Sequence, residues 1–317
     1  MMRVLVTGGA GFIGANFIHY WTERHPRDEI INIDKLTYAA DPHNLDGINK
    51  DRYTFVRGDI ADRKLMMRLV KDVDAIVNFA AESHVDNSIN DSTPFVHSNF
   101  VGVHSILEAV RKYERRFHQV STDEVYGSLP LNSKKRFNES SPYNPRNPYS
   151  ATKAAADHLV RAFHNTYNIP ATISNCSNNY GPYQHYEKLI PKSVTNALQN
   201  RKIPIHGSGM QVRDWIYVED HCSGIEAVLK KGKIGETYLI SAGCERRNVD
   251  VVDKVLKMVG KPTSLMNHVA DRPGGDMRYA IDASKIRKEL GWKHRYSFDK
   301  GMKITVDYYK NRFYSKK

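Results

Sequence analysis

Arg3-Val-Leu-Val-Thr7 runs into Gly8-Gly-Ala-Gly-Phe-Ile-Gly14 and then into a stretch from Asn16 to Arg24 whose apolar residues recur at helical spacing. A short apolar strand, a glycine-rich turn and a helix in that order commit the chain to a parallel α/β sheet. Glycines permit the tight turn and let the backbone approach a pyrophosphate, which the free N–H groups at the helix start receive. Two registers fit, Gly8-x-x-Gly11-x-x-Gly14 and Gly9-x-Gly11-x-x-Gly14. A glycine pattern alone is a weak signal. Its context strengthens it, because the next apolar run, Glu29-Ile-Ile-Asn-Ile33, ends in Asp34, twenty residues past Gly14. A carboxylate there accepts from adenosine ribose hydroxyls and repels a 2′-phosphate, which favours NAD over NADP, although the neighbouring Lys35 pulls the other way.

The alternation of strand and helix signals continues. Tyr53–Arg57, Ala75–Phe79, Phe117–Ser121 and Ala171–Asn175 read as strands; helices are expected from Asp62 to Lys71, Thr93 to Tyr113 and around Tyr149. The fold class is therefore α/β, a Rossmann-type doubly wound parallel sheet. Ligands in such sheets lie beyond the strand C-termini, where Gly8, Asp34, Asp59, Ala80, Thr122 and Asn175 fall. Past residue 176 the text is richer in polar loops: Asn178–Tyr183, Glu187–Pro191, His206–Gly209, Arg213-Asp214 and Asp271–Arg278 all read so. A helix from Val218 to Lys230 and a strand Thr237–Ile240 look as if they return to the first sheet. The expected division is a nucleotide domain over 1–175 that regains 214–241, and a smaller mixed α/β substrate lobe from 176–213 and 242–317.

Tyr149 and Lys153 stand four apart in Pro148-Tyr-Ser-Ala-Thr-Lys153, so a helix puts both on one face, and the ammonium is expected to lower the phenol toward a working base. Ser121-Thr-Asp-Glu-Val-Tyr126 ends an upstream strand and adds the carboxyl groups of Asp123 and Glu124, a second acid/base function that a simple alcohol dehydrogenase does not need.

Composition bounds the alternatives. The 317 residues are 40% apolar, enough for a large core, yet no stretch approaches the roughly 20 apolar residues of a membrane span. No leader peptide is expected, since the first residues already read as a strand, and the cytoplasm is the expected location. Cys176, Cys222 and Cys244 lack metal-ligand spacing and are odd in number, so neither a metal site nor a disulfide framework is expected. The net charge of +12 raises nucleic-acid binding, but the basic clusters are short and scattered. A basic surface suited to an anionic diphosphate is the preferred reading.

The chain resembles the extended short-chain dehydrogenases/reductases, and within their nucleotide-sugar branch the dTDP-glucose 4,6-dehydratase family. The likeness runs through Thr7–Gly14, Asp34–Tyr38, Gly58-Asp-Ile60, Ala80–Asp86, Ser121–Gly127, Tyr149–Lys153, Asn178–Tyr183, Glu187–Pro191, Val212–Trp215 and Arg272-Pro-Gly274. The resemblance implies a lyase: Tyr149 with Lys153 takes the C4 hydroxyl proton while hydride goes to NAD, Thr122 bonds the same oxygen, Glu124 removes the C5 proton, Asp123 protonates the departing C6 hydroxyl, and hydride returns to C6. It implies Gly8, Gly11, Phe12, Ile13, Gly14, Asp34, Lys35, Thr37, Asp59, Ile60, Ala80, Ala81, Ser83, Asn99 and Asn175, besides Tyr149 and Lys153, on the NAD side. On the sugar-nucleotide side it implies His84, Thr122, Asn179, Lys188, Leu189, Arg213, Asn248, Arg272 and Tyr279. It further implies a homodimer through the helices near Thr93–Tyr113 and Tyr149–Tyr167. Gly275 departs from the usual His of the family pattern, Met277 from a common basic residue, and Asp41-Pro-His43 from the usual Gly-Asn; the first bears on base preference. A 4-epimerase or UDP-glucuronate decarboxylase shares the Tyr-Lys pair without a use for the acids, and an RNA-binding relative would need neither.

Overall fold

The computed structural model describes residues 1–271 and 275–315. Val4, Leu5 and Val6 are all fully buried, as a strand covered on both faces requires, and they form the centre of a seven-stranded sheet. Its strands are β1 (Arg3–Thr7), β2 (Glu29–Asp34), β3 (Tyr53–Arg57), β4 (Ala75–Asn78), β5 (Arg116–Thr122), β6 (Ala171–Cys176) and, after β7 (Asn178–Tyr180), β8 (Ile203–His206) and β9 (Val212–Tyr217), β10 (Thr237–Ile240). The order is β10-β6-β5-β4-β1-β2-β3 and every pairing is parallel. The strand order reverses between β1 and β4, which opens a crevice at their C-terminal ends.

Each face of this sheet carries its own apolar layer. On one side helix Phe12–Arg24 presents Phe17, Ile18 and Trp21 to Cys222, Ile225 and Val228 of helix Val218–Lys231. On the other, Met66 and Val70, then Ile106, Leu107 and Val110, then Ala156, Val160 and Phe163 fill the space beneath three further helices. The run expected from Thr93 to Tyr113 is helical throughout, with a π-helical segment at His97–Gly102 between two α-helical parts.

The remaining strands β11 (Glu245–Arg247) and β12 (Met266–Val269) complete two small sheets, β11-β9-β7 and β12-β8. Helices Leu189–Leu198, Asn248–Val259 and Phe298–Tyr314 close around Tyr180, Val194, Val251 and Met302. Several segments read as loops are regular structure. Arg213 and Asp214 lie on β9, Asn178–Tyr180 forms β7, and a helix starts at Leu189. Strand Thr237–Ile240 pairs with β6, and helices Val218–Lys231 and Ser284–Leu290 pack on the first sheet, with Ile286 and, just past the second helix, Trp292 in the layer with Trp21.

Candidate active site

A cavity of about 320 Å³ occupies the crevice, walled by the turns after β1, β2, β4, β5 and β6. The glycine register is decided by geometry. Gly8 has φ +70°, a Cβ there would meet the Ala80 Cα at 2.7 Å, and a Cβ on Gly14 would meet the Gly8 carbonyl oxygen at 2.4 Å. Gly8 lines the cavity with Gly11, the N-cap of helix Phe12–Arg24, and Gly14, whereas Gly9 does not, so the pattern facing the ligand is Gly8-x-x-Gly11-x-x-Gly14. Gly9 serves the sheet instead, its N–H donating to Asn32 Oδ1 at 3.0 Å.

Asp34, at the end of β2, accepts from the Ala10 amide (2.9 Å) through one oxygen and from Leu36 (2.8 Å) through the other, the latter holding Leu36 at φ 58°. Burial pushes its carboxyl up and the two amides pull it back. Lys35 turns away to an ion pair with Asp59 at 2.7 Å, so its charge is answered within the protein. Gly8, Gly11, Phe12, Ile13, Gly14, Asp34, Lys35, Thr37, Asp59, Ile60, Ala80, Ala81, Ser83, Tyr149 and Lys153 all line the cavity. A carboxylate at the end of β2 and a close-approach turn at a helix start fit an adenine dinucleotide such as NAD. Asn99 and Asn175 do not line it. Asn99 accepts from the Glu82 amide (2.8 Å) and donates to its carbonyl (3.0 Å), fixing the Ala80–Ser83 wall, and Asn175 donates to the Thr122 carbonyl at 3.1 Å.

Tyr149 sits in the first turn of helix Pro148–Tyr167, which Asn147 caps by accepting from the Ser150 amide at 2.9 Å. One expectation is overturned here. Burial, then the Glu124 carboxylate, pushes the Tyr149 phenol well above its ordinary value, the Thr122 hydroxyl opposing. Lys153 donates to the Val120 carbonyl at 2.8 Å rather than to the phenol. Helical spacing reports a shared face; it carries no information on how deeply that face is buried, and here desolvation wins.

The adjacent acids have opposite surroundings. Asp123 is buried, one of its oxygens has no donor among the described residues, and burial with Glu124 and Asp214 drives it well up, toward the neutral acid. Glu124 is also raised by burial, but the Arg213 and Lys188 cations pull it back toward the carboxylate. A carboxyl whose folded pKa lies above its unfolded value contributes its stability when protonated and loses it as pH rises from the ordinary carboxylate range through the raised value. Asp123→Asn is therefore expected to raise the melting temperature relative to the parent at pH 8, with the gain vanishing toward pH 4; an unchanged difference across that range would remove the buried-acid description.

On the sugar-nucleotide side Thr122, Asn179 and Lys188 line the cavity, whereas His84, Leu189, Arg213, Asn248 and Tyr279 stand outside its wall. His84 lies 3.8 Å from Glu187. Leu189 packs against the apolar cluster around Tyr180 and Val194, and Asn248 begins the helix Asn248–Val259. Arg213 donates to the carbonyls of Val212 and Asp276 and lies over the Tyr279 ring, whose hydroxyl donates to Asp276. Asn179 is occupied by its own neighbours: His221 bonds its Oδ1 at 2.9 Å and its Nδ2 donates to Ser177 O at 3.0 Å. Arg272 lies outside the described residues. Sequence reasoning missed Glu187, which lines the cavity within reach of His185 (3.5 Å) and Tyr38 (3.4 Å). Its signal was present, since Glu187 opens one of the motifs that carry the resemblance.

A doubly wound parallel sheet with a dinucleotide cradle and a Tyr-Lys pair on one helix defines a short-chain dehydrogenase/reductase scaffold. The profile of the GDP-mannose 4,6 dehydratase family matches residues 5–305, and the chain belongs to that family. It is 53% identical to a dTDP-glucose 4,6-dehydratase of Mycolicibacterium smegmatis, over 98% of this chain and 93% of that one. The crystal structure of the dTDP-glucose 4,6-dehydratase DesIV of Streptomyces venezuelae, with NAD and TYD bound, superposes with a TM-score of 0.95 at 45% identity, covering 99% of this chain and 98% of that one. A UDP-glucose 4-epimerase of Thermotoga maritima shares the fold at a TM-score of 0.90 but only 25% identity, over 98% of this chain and 100% of that one.

Proposed function

We propose that the cavity carries out the NAD-dependent dehydration of dTDP-glucose to its 4-keto-6-deoxy product. The observation that carries the reading is the Asp123–Glu124 pair in the same cavity wall as Tyr149 and Lys153, with surroundings that push the two acids apart. An epimerase or decarboxylase built on the same Tyr-Lys pair has no task for them. NAD, when bound, supplies a hydride acceptor at C4 and a hydride donor at C6. Tyr149 Oη, as the phenolate, takes the proton from the C4 hydroxyl, with Thr122 Oγ1 bonding the same oxygen. Oxidation at C4 acidifies C5, and Glu124, kept toward its anion by Arg213 and Lys188, removes that proton. Asp123, kept toward its acid, gives a proton to the departing C6 hydroxyl, as a positioned general acid does.

The protein is expected to copurify with NAD and, given dTDP-glucose, UDP-glucose and CDP-glucose separately, to form from the first a product lighter by one water. An isobaric 4-epimer instead of water loss would overturn the reading. The bases themselves are compared in the same experiment, which bears on Gly275.

We take the nucleotide domain to be residues 1–175 with 214–241, and the substrate lobe to be 176–213 and 242–317, with Ala283–Trp292 packed back on the first sheet. A homodimer fits the helices 93–113 and 148–167, which expose Val96, Val101 and Tyr167; light scattering is expected to give twice the chain mass, and a monomer would refute it. Among the described residues no helix is long and apolar enough to cross a membrane. Free cysteines and a nucleotide-sugar substrate suit the cytoplasm.

A further inference from the structure

Behind the cavity, one turn beyond Lys153 on the same helix, Asp157 is fully buried. One carboxylate oxygen accepts from Ser121 Oγ (2.8 Å), Tyr143 Oη (2.9 Å) and Asn175 Nδ2 (3.2 Å). Its other oxygen has no donor among the described residues. The same Asn175 amide donates to the Thr122 carbonyl, and Arg161 donates to Tyr143 Oη at 2.7 Å. Three converging donors and two cations on its own helix are an expensive arrangement for a residue that touches no ligand, because an isolated buried charge is strongly disfavoured.

We propose that Asp157 is a positioning residue for proton transfer at Tyr149: its buried carboxylate is the fixed countercharge of Lys153 and, through Asn175 and Ser121, the anchor of the strand end that carries Thr122. Helix positions i and i+4 put the two side chains on one face, with about 5–6 Å between Cβ atoms, so the carboxylate acts on the ammonium through space while Lys153 Nζ donates to the Val120 carbonyl. Lys153 is otherwise faced by the Val120 carbonyl from β5 and the Cys176 thiol from β6, which burial pushes up to about 12 and so keeps neutral. Burial pushes the Asp157 carboxyl up, and it is drawn back toward the carboxylate by Lys153 and then Arg161 from its own helix and by the Ser121 (β5) and Tyr143 hydroxyls; Asn175 from β6 also donates to it, and the Tyr143 and Tyr126 phenols from the segment between are both pushed up by burial. Burial lowers Lys153, and Asp157 is the foremost group opposing it. Without that carboxylate the ammonium is lost at a lower pH, and with it the positive charge one turn from the phenol.

The inference rests on the dehydratase reading only for the reaction it serves. Asp157→Asn is a clean probe, because the amide nitrogen can occupy the oxygen position that no donor addresses while the three hydrogen bonds are kept. In the full-length NAD-bound protein, the 15N-lysine side-chain resonance of Lys153 is expected to titrate about 1–3 pH units lower in Asp157→Asn. The alkaline limb of NAD reduction in a single turnover with dTDP-glucose should move down with it, at little change in KM. Tyr143→Phe, which removes a donor and so pushes the Asp157 carboxyl further up, should weaken the countercharge and shift both in the same direction by less, and serves if Asp157→Asn does not fold. A Lys153 titration unmoved in a folded variant overturns the proposal. Failure of the parent protein to turn over dTDP-glucose would instead strike the functional reading, since the titration needs no substrate.

Discussion

Tyr149→Phe is expected to yield a folded, NAD-containing protein that binds dTDP-glucose within a few-fold of the parent and reduces NAD about 10²–10⁴ times more slowly, the usual worth of a positioned proton acceptor. The fold should survive. The ring stays packed against Phe95, centroids 6.4 Å apart, and the backbone amide of residue 149 still donates to Ser88 Oγ at 3.2 Å. Thr122, losing the phenol, retains the Glu124 amide as a donor at 3.3 Å. Because burial and Glu124 hold the phenol up, the parent rate should fall as pH is lowered. Ordinary turnover by the phenylalanine variant would take Tyr149 out of the reaction.

The second large effect separates two neighbours. Glu124→Gln should still reduce NAD on adding substrate, yet incorporate no solvent deuterium at C5. Asp123→Asn should reduce NAD and exchange C5, but lose water about 10²–10⁴ times more slowly, because the leaving hydroxide lacks its proton. The pH dependence has a defined sign. Asp123 is driven further up than Glu124, so water loss needs a window in which Glu124 is already ionised and Asp123 still protonated. It should fall on the acid side as Glu124 takes a proton and on the alkaline side as Asp123 gives its own away. Parent-like water loss in both variants would return the argument to an epimerase or decarboxylase.

The central sheet was legible because β1 and β4 are nearly continuous apolar runs, as covered parallel strands can be, and β1 to β4 end at or just before Gly8, Asp34, Gly58 and Ala80. The two small sheets were not. In β9, Arg213 and Asp214 precede Trp215-Ile216-Tyr217, and polar residues at the start of a short strand look like a loop until partners appear; Asp214 finds the Ser241 hydroxyl and the Cys244 amide. Spacing placed Tyr149 and Lys153 on one face but could not weigh desolvation against charge. The same limit hid Asp157, an acid one turn further along that face. The glycine register, open on spacing alone, closes only when Gly8 is seen on the cavity wall and Gly9 turned to Asn32.

The late arrival of β10 and helix Ser284–Leu290 governs how the protein can be born. As the chain leaves the ribosome, β1 to β6 can assemble early, but β6 then presents an unpaired edge until Thr237–Ile240 emerges, and the layer around Trp21 stays uncovered until Val218–Lys231 and then Ile286 and Trp292 follow. Unpaired strand edges and bare apolar faces are the features by which nascent chains associate wrongly. A ribosome paused between Cys176 and Thr237 therefore holds a nearly complete nucleotide cradle in its most aggregation-prone form, and that interval is where a chaperone has the most to protect.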